Sequence, residues 1–160
     1  MHRIPESIRE FESDDLDSLK RIYTAAIGAL GESRYSRRQV EAWASFSDDA
    51  GAFRDWIASA TTYVAISDRE RIGFAGLQSQ GRIASLYVAP EWMRQGVASR
   101  LLEKLFEDAL ARGMKSLTAD ASEFSRPVFE KHGFRVAAVE HNQYKGVDFT
   151  RYSMRKTLES

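Results

Sequence analysis

Val88-Ala89-Pro90-Glu91-Trp92-Met93-Arg94-Gln95-Gly96-Val97-Ala98-Ser99-Arg100-Leu101-Leu102 is the stretch from which the rest of the chain can be read. An apolar strand runs into Pro90, a short basic loop with one glycine follows, and a strongly amphipathic helix then begins. A strand, loop and helix in that order leave several backbone N–H groups unpaired at the helix N-terminus. Unpaired donors and the helix dipole together make an anion site, best suited to a phosphate. Gly96 and Ala98 carry almost no side chain, so a pyrophosphate can approach the backbone there. The loop lacks the Gly-Lys-Ser/Thr of a Walker loop and the Gly-x-Gly-x-x-Gly of a dinucleotide site.

Downstream, Leu101, Leu102, Leu105, Phe106, Ala109 and Leu110 continue a 3.6-residue stripe from Val97, and Gly113 stops it. Ser116 to Ala121 reads as a strand, Phe124 to His132 as a short helix ended by Gly133. Phe134 to Tyr144 and Asp148 to Leu158 form a hairpin across Lys145-Gly146-Val147, and Thr150, Tyr152 and Met154 alternate with Arg151, Ser153 and Arg155. Upstream, Arg82 to Val88 is a strand, and Thr61 to Ser67 and Ile72 to Gln78 form a hairpin across Asp68-Arg69-Glu70. Ser7 to Phe11 is a first strand, and Ser13-Asp14-Asp15 offers an N-cap to a helix through Leu16, Leu19, Ile22, Tyr23, Ala26 and Ile27. Gly28 and Gly31 end that helix; Ser36 caps a second through Gln39, Val40 and Trp43, and Ala52 to Ala58 is a third. Strands alternate with helices only in the second half. The expected fold is therefore one mixed α/β (α+β) sheet with helices on both faces and a right-handed crossover through the Val97 helix.

The 160 residues suit a single domain, 1–160, with one core. Lys+Arg and Asp+Glu balance at 23 each, which argues against nucleic acid as the main partner. No cysteine is present, which excludes disulfides, thiolate nucleophiles and Cys-based metal sites, and the scattered His2, His132 and His141 do not suggest a metal. No apolar run approaches the ~18 residues of a membrane span, and no signal-peptide core is apparent. A cytoplasmic protein with neither membrane nor nucleic acid as partner is the expectation.

The basic loop resembles the acyl-CoA pyrophosphate loop of the GNAT N-acetyltransferases, usually Gln/Arg-x-x-Gly-x-Gly/Ala. Arg94-Gln95-Gly96-Val97-Ala98 fits it, and Met93 stands where Gln or Arg is usual. The order of elements is similar to the whole GNAT domain over about residues 7 to 156, which implies a mostly antiparallel sheet of six to seven strands flanked by helices. Ile83-Ala84-Ser85-Leu86-Tyr87-Val88-Ala89-Pro90 looks like the family's fourth strand, where a bulge frees backbone groups to pair with pantetheine. Ser122-Glu123-Phe124-Ser125-Arg126-Pro127-Val128-Phe129 through Gly133-Phe134 resembles the family's late helix, Asn-x-x-Ala-x-x-x-Tyr-x-x-x-Gly-Phe. Ser122 takes the place of the Asn, and Phe129 that of the Tyr often proposed as general acid. The Ala119-Asp120-Ala121-Ser122 lead-in, with Tyr35-Ser36 and Ala42-Trp43-Ala44, looks like one subgroup of small bacterial GNAT proteins.

The resemblance implies acetyl-CoA as cofactor, a primary amine of a small molecule or peptide as acceptor, and a monomer or homodimer. It places the pyrophosphate on Arg94, Gln95, Gly96, Val97, Ala98 and Ser99, and pantetheine along Leu86, Tyr87 and Val88, with the Val88 N–H as oxyanion donor. Ser122, Ser125 and Phe129 then flank the pantetheine arm and the sulfur. Acetyl transfer must deprotonate an amine of pKa ~10 and stabilise a departing thiolate of pKa near 8.5. Without cysteine, direct attack in a ternary complex is the route left.

Phe129 has no proton to give, so solvent, Ser125, Tyr144 or Tyr152 is the candidate acid. Asp120 is a candidate base or an N-cap of the late helix. Glu123 is a dipole partner in the first turn or a base, and His141 a base or a solvated strand residue. Tyr23, Tyr35, Trp43 and Trp56 line an acceptor pocket or pack the core. Arg34, Arg37 and Arg38 attract an acidic acceptor or form a solvated face. The alternative function is an acyl-CoA-binding GNAT-fold module without catalysis.

Overall fold

Apolar side chains that alternate at period two build the sheet, and those spaced at 3.6 build the helices that cover it. The computed structural model describes residues 5–30 and 34–158. Its elements run β1 (Ser7–Glu10), α1 (Leu16–Gly28), α2 (Arg37–Ala44), α3 (Ala50–Ala58), β2 (Thr61–Ser67), β3 (Glu70–Leu77) and β4 (Arg82–Val88). After a one-turn 3-10 helix at Pro90–Trp92 come α4 (Val97–Ala111), β5 (Ser116–Ala121), α5 (Arg126–Lys131), β6 (Arg135–Tyr144) and β7 (Val147–Thr157). The strands form one seven-stranded sheet in the order β1-β2-β3-β4-β5-β7-β6. All neighbours pair antiparallel except β4 and β5, which are parallel and joined through α4. The mixed sheet expected from the sequence is thus present, at the upper end of the expected strand count.

Two adjacent residues of β3 show the two faces. A Cβ built on Gly73 would lie 3.0 Å from the Tyr87 carbonyl and 3.3 Å from both Val97 and Leu101, so only glycine lets the first turns of α4 sit this close to the sheet. Phe74 points the other way, against Trp56 of α3 and Tyr87, whose ring lies 4.9 Å from Tyr23 of α1. Leu101, Leu102, Leu105 and Ala109 on one side and Leu19, Ile27 and Phe53 on the other are fully buried in one continuous core.

Several boundaries differ from the sequence reading, each for a physical reason. Asp15 does not cap α1. Glu12 and Asp15 form a reciprocal capping box around the 3-10 turn Ser13–Asp15, and the Asp15 carboxylate binds Arg9 and Arg71. The hairpin turns are two residues long, because Asp68-Arg69 and Lys145-Gly146 adopt positive φ, leaving Glu70 and Val147 in their strands. α5 starts at Arg126 rather than Phe124. Ser122 and Ser125 bind each other's backbone N–H at 3.0 and 2.9 Å and hold 122–125 as a turn. Gly31, read as a helix stop, and His2 lie outside the described residues.

Candidate functional site

The site begins with a split in the sheet. β4 and β5 pair only at Arg82–Thr118 and Ile83–Ala119, and both strands run on beyond that point. Ala89 N–H donates to the Ile72 carbonyl at 2.8 Å, so Tyr87 and Ala89 turn their backbone toward β3. Period two then points the backbone groups of Leu86 and Val88 into the gap opening toward β5. A bulge contributes to the split: Ser85 pairs with Gly76 and Ile83 with Leu77, which leaves Ala84 over. The Trp56 indole N–H donates to the Ala84 carbonyl at 3.2 Å and holds the bulge. Trp56 therefore does more than pack against the core, a role no local pattern announces.

The mouth of the gap is the start of α4. Gly96 takes φ 91° and ψ 2°, a left-handed conformation that suits glycine, and has no side chain to cap the first turn. Arg94 also has positive φ, and its side chain is exposed. The Gln95 amide donates to the Glu91 carbonyl at 2.9 Å, so this side chain ties the loop to the preceding turn. Val97 is buried, and the small Ala98 is half-buried. Ser99 Oγ lies 2.9 Å from His132 Nε2. Uncapped N–H groups at a 15-residue helix, opening on freed strand backbone, fit an elongated ligand with a phosphate along its length. The loop, the split strand and the turn of Ser122 and Ser125 thus meet the demands of an acyl-CoA on backbone donors.

Beyond β5 the late turn forms the other wall. Ser122 Oγ donates to Ser125 Oγ at 3.1 Å, which leaves the Ser125 proton for another acceptor. Phe129 is buried, 5.1 Å from Phe134. Tyr152 O–H donates to Glu123 Oε2 at 3.5 Å, and the Arg126 guanidinium lies 4.6 Å over its ring. Two contacts cross from the α1–α2 connection: Tyr35 O–H accepts from Phe124 N–H at 3.2 Å, and Arg34 reaches the Glu123 carbonyl at 3.5 Å. The structure thus brings Tyr35, Glu123, Ser125 and Tyr152 to one end of the β5 wall.

Three expectations need correcting. Asp120 does not cap α5. Its Oδ2 binds Arg82 at 2.9 Å, with Arg151 at 3.9 Å, so the carboxylate is paired across the sheet and is not spent on the helix end. Glu123 precedes α5 and is not in its first turn. Tyr23 is 3% exposed, and its hydroxyl donates to the Trp43 carbonyl at 2.8 Å. Burial pushes the Tyr23 phenol far above its ordinary range and that of Tyr87 up to about 12, so both stay neutral walls. His141 is exposed on β6, 3.3 Å from Thr150.

Residues 32–156 match the family model of the acetyltransferase (GNAT) domain. The chain belongs to the GNAT acetyltransferase family. It is 32% identical over 148 residues to the uncharacterized N-acetyltransferase YafP of Escherichia coli, covering 92% of this chain and 93% of that protein. A GCN5-related N-acetyltransferase from Rhodopseudomonas palustris superposes with a TM-score of 0.93 at 30% identity, over 99% of this chain and 98% of the other. PaiA N-acetyltransferase from Thermoplasma acidophilum, solved with coenzyme A, superposes at 0.76 and 19% identity over 95% and 98%, a likeness of fold. The protein is an N-acetyltransferase, and acetyl-CoA is the acyl donor of this GNAT domain. Among the described residues no helix is long and apolar enough to cross a membrane.

Proposed function

We propose that the enzyme moves the acetyl group of acetyl-CoA to a primary amine of a small molecule or peptide by direct attack in a ternary complex. The observation that carries this reading is the parting of β4 from β5 after Ile83 and Ala119, with the uncapped start of α4 at its mouth. The pyrophosphate lies on the N–H groups from Gly96 to Ser99, with Arg94 beside it and Gln95 bracing the loop. Pantetheine runs along Leu86 and Val88 as an added strand. The Val88 N–H meets the thioester carbonyl and stabilises the oxyanion as the amine attacks. Ser122 and Ser125 contact the pantetheine arm, and Phe129 walls the sulfur.

The departing thiolate has an ordinary pKa near 8.5, so solvent can protonate it and Phe129 need not. Ser125, whose own proton is unspent within its serine pair, is placed to hydrogen-bond that sulfur. Asp120, held by Arg82, orients the end of β5, and the proton that the amine gives up passes to solvent. Tyr35 and Tyr152 frame the acceptor's entrance, with Glu123 between them as a counter-charge for a protonated amine.

Calorimetric titration with acetyl-CoA, desulfo-CoA and adenosine diphosphate tests the reading. Micromolar binding of acetyl-CoA, partly retained by the diphosphate, is expected. No binding at millimolar ligand overturns it. Initial rates of thiol release across an amine panel should give intersecting double-reciprocal lines, whereas parallel lines would rule out direct attack.

A further inference from the structure

Ser99 and His132 come from different helices and meet at the candidate pyrophosphate site. Ser99 is in the first turn of α4; His132 is the residue on which α5 ends, and Oγ and Nε2 are 2.9 Å apart. The ring also packs 6.0 Å from Phe106. A hydroxyl has one proton to give. When Nε2 is bare, Ser99 spends that proton on the ring and offers an arriving anion only lone pairs. When Nε2 carries a proton, the ring donates to Ser99, and the serine proton is released for a phosphate oxygen.

Nε2 is bare in the neutral ring that carries its proton on Nδ1, and the charges around the ring decide whether the free enzyme holds it neutral. Lys131 on α5 and Lys156 on β7 oppose a positive imidazole, and Glu103 on α4 favours one. Burial, the largest effect, and the two lysines prevail, so the imidazole is held below its ordinary pKa and is neutral near pH 7. An anion at the start of α4 adds negative charge one hydroxyl away and reverses the balance.

We propose that His132 is a positioning residue for the acyl donor: on pyrophosphate binding its ring takes up a proton and turns Ser99 from an acceptor-facing hydroxyl into a phosphate donor. This rests on the placement of the pyrophosphate at Arg94–Ser99. The ring touches neither the thioester nor the amine, so its effect belongs to binding and not to the chemical step.

The probe is 3′-dephospho-CoA, whose pyrophosphate does not titrate near neutrality. Calorimetry at pH 7 in buffers of different ionisation enthalpy counts protons taken up on binding. The wild-type chain should take up a fraction of one proton. His132→Gln keeps an N–H donor without titrating, and should bind within about threefold of wild type with no uptake. His132→Leu removes both the acceptor that captures the Ser99 proton and the group that takes up the new one, and should also bind with no uptake. Ring NMR of the wild type needs no variant: His132 should titrate higher with ligand than without. Proton uptake as large in either variant as in the wild type overturns the inference and leaves the site reading standing. Failure of the wild type to bind dephospho-CoA overturns both.

Discussion

Gly96 answers two demands at once: its backbone is left-handed, and its missing side chain leaves the start of α4 open. Gly96→Glu should cost about 1–2 kcal/mol for the conformation, and a carboxylate against the pyrophosphate should weaken acetyl-CoA binding by more than about tenfold, since like charges meet in a confined site. Calorimetry beside a melting curve separates the two effects; unchanged affinity in a folded variant would misplace the loop. Phe129 poses the opposite question, because it is 4% exposed at the position where the pattern that the late helix resembles has a Tyr. Phe129→Tyr should fold with a loss of about 1–3 kcal/mol, the cost of an imperfectly paired buried hydroxyl. It should also raise kcat severalfold below the thiol pKa, where a nearby donor relieves the thiolate. A kcat that does not rise would show that protonation of the leaving group is not limiting. Both positions are legible in the sequence, Gly96 as glycine before an amphipathic helix and Phe129 as a departure from a pattern. Asp120 is not, because its partner Arg82 lies 38 residues away and nothing local marks the pair.

At the scale of elements, the feature that makes the site is the bulge of β4, and one indole holds it. Trp56→Phe keeps the ring contacts with Phe53, Phe74 and Tyr87 but removes the hydrogen bond to the Ala84 carbonyl. A stability loss of about 1–2 kcal/mol is expected, together with a rise in the KM for acetyl-CoA as Leu86 and Val88 lose their register toward the gap. The measurement is a melting curve beside KM and kcat; a loss of stability at unchanged KM would make Trp56 a packing residue only. The strand and helix spans were readable because period two and period 3.6 are local. Thr61–Ser67, Arg82–Val88 and Ser116–Ala121 fold over the spans expected from the sequence. The start of α5 was not, since Phe124 continues the apolar spacing while the pairing of Ser122 with Ser125 spends the backbone on a turn. Likewise, the insertion of β7 between β5 and β6 is a choice among partners that no single strand records.

Across the whole molecule, one buried charge joins the first strand to the middle of the sheet. Asp15 is fully buried, accepting from both Arg9 nitrogens at 2.8 and 2.9 Å, from Arg71 at 2.8 Å and from the Glu12 N–H at 2.7 Å. Its partners lie 6 and 56 residues away, so a sequence that reads well as a helix cap conceals a tertiary clamp. Burial by itself pushes this carboxyl up, but the two guanidinium groups and the N–H outweigh it and hold the acid well below the usual carboxylate range. A folded pKa below the unfolded value of ~3.9 adds stability that is fully present above that value and drains away as pH falls through it toward the folded pKa. The native enzyme should therefore lose stability steeply from about pH 5 downward. Asp15→Asn should lower stability at pH 7 by about 3 kcal/mol, the low end for a broken buried pair, because both arginines retain some solvent. It should also flatten the acid limb, since the titrating group is gone. Urea midpoints between pH 3 and pH 7 read both effects. An acid limb as steep in the variant as in the wild type would mean that other carboxylates govern acid unfolding and that Asp15 contributes only its neutral-pH contacts.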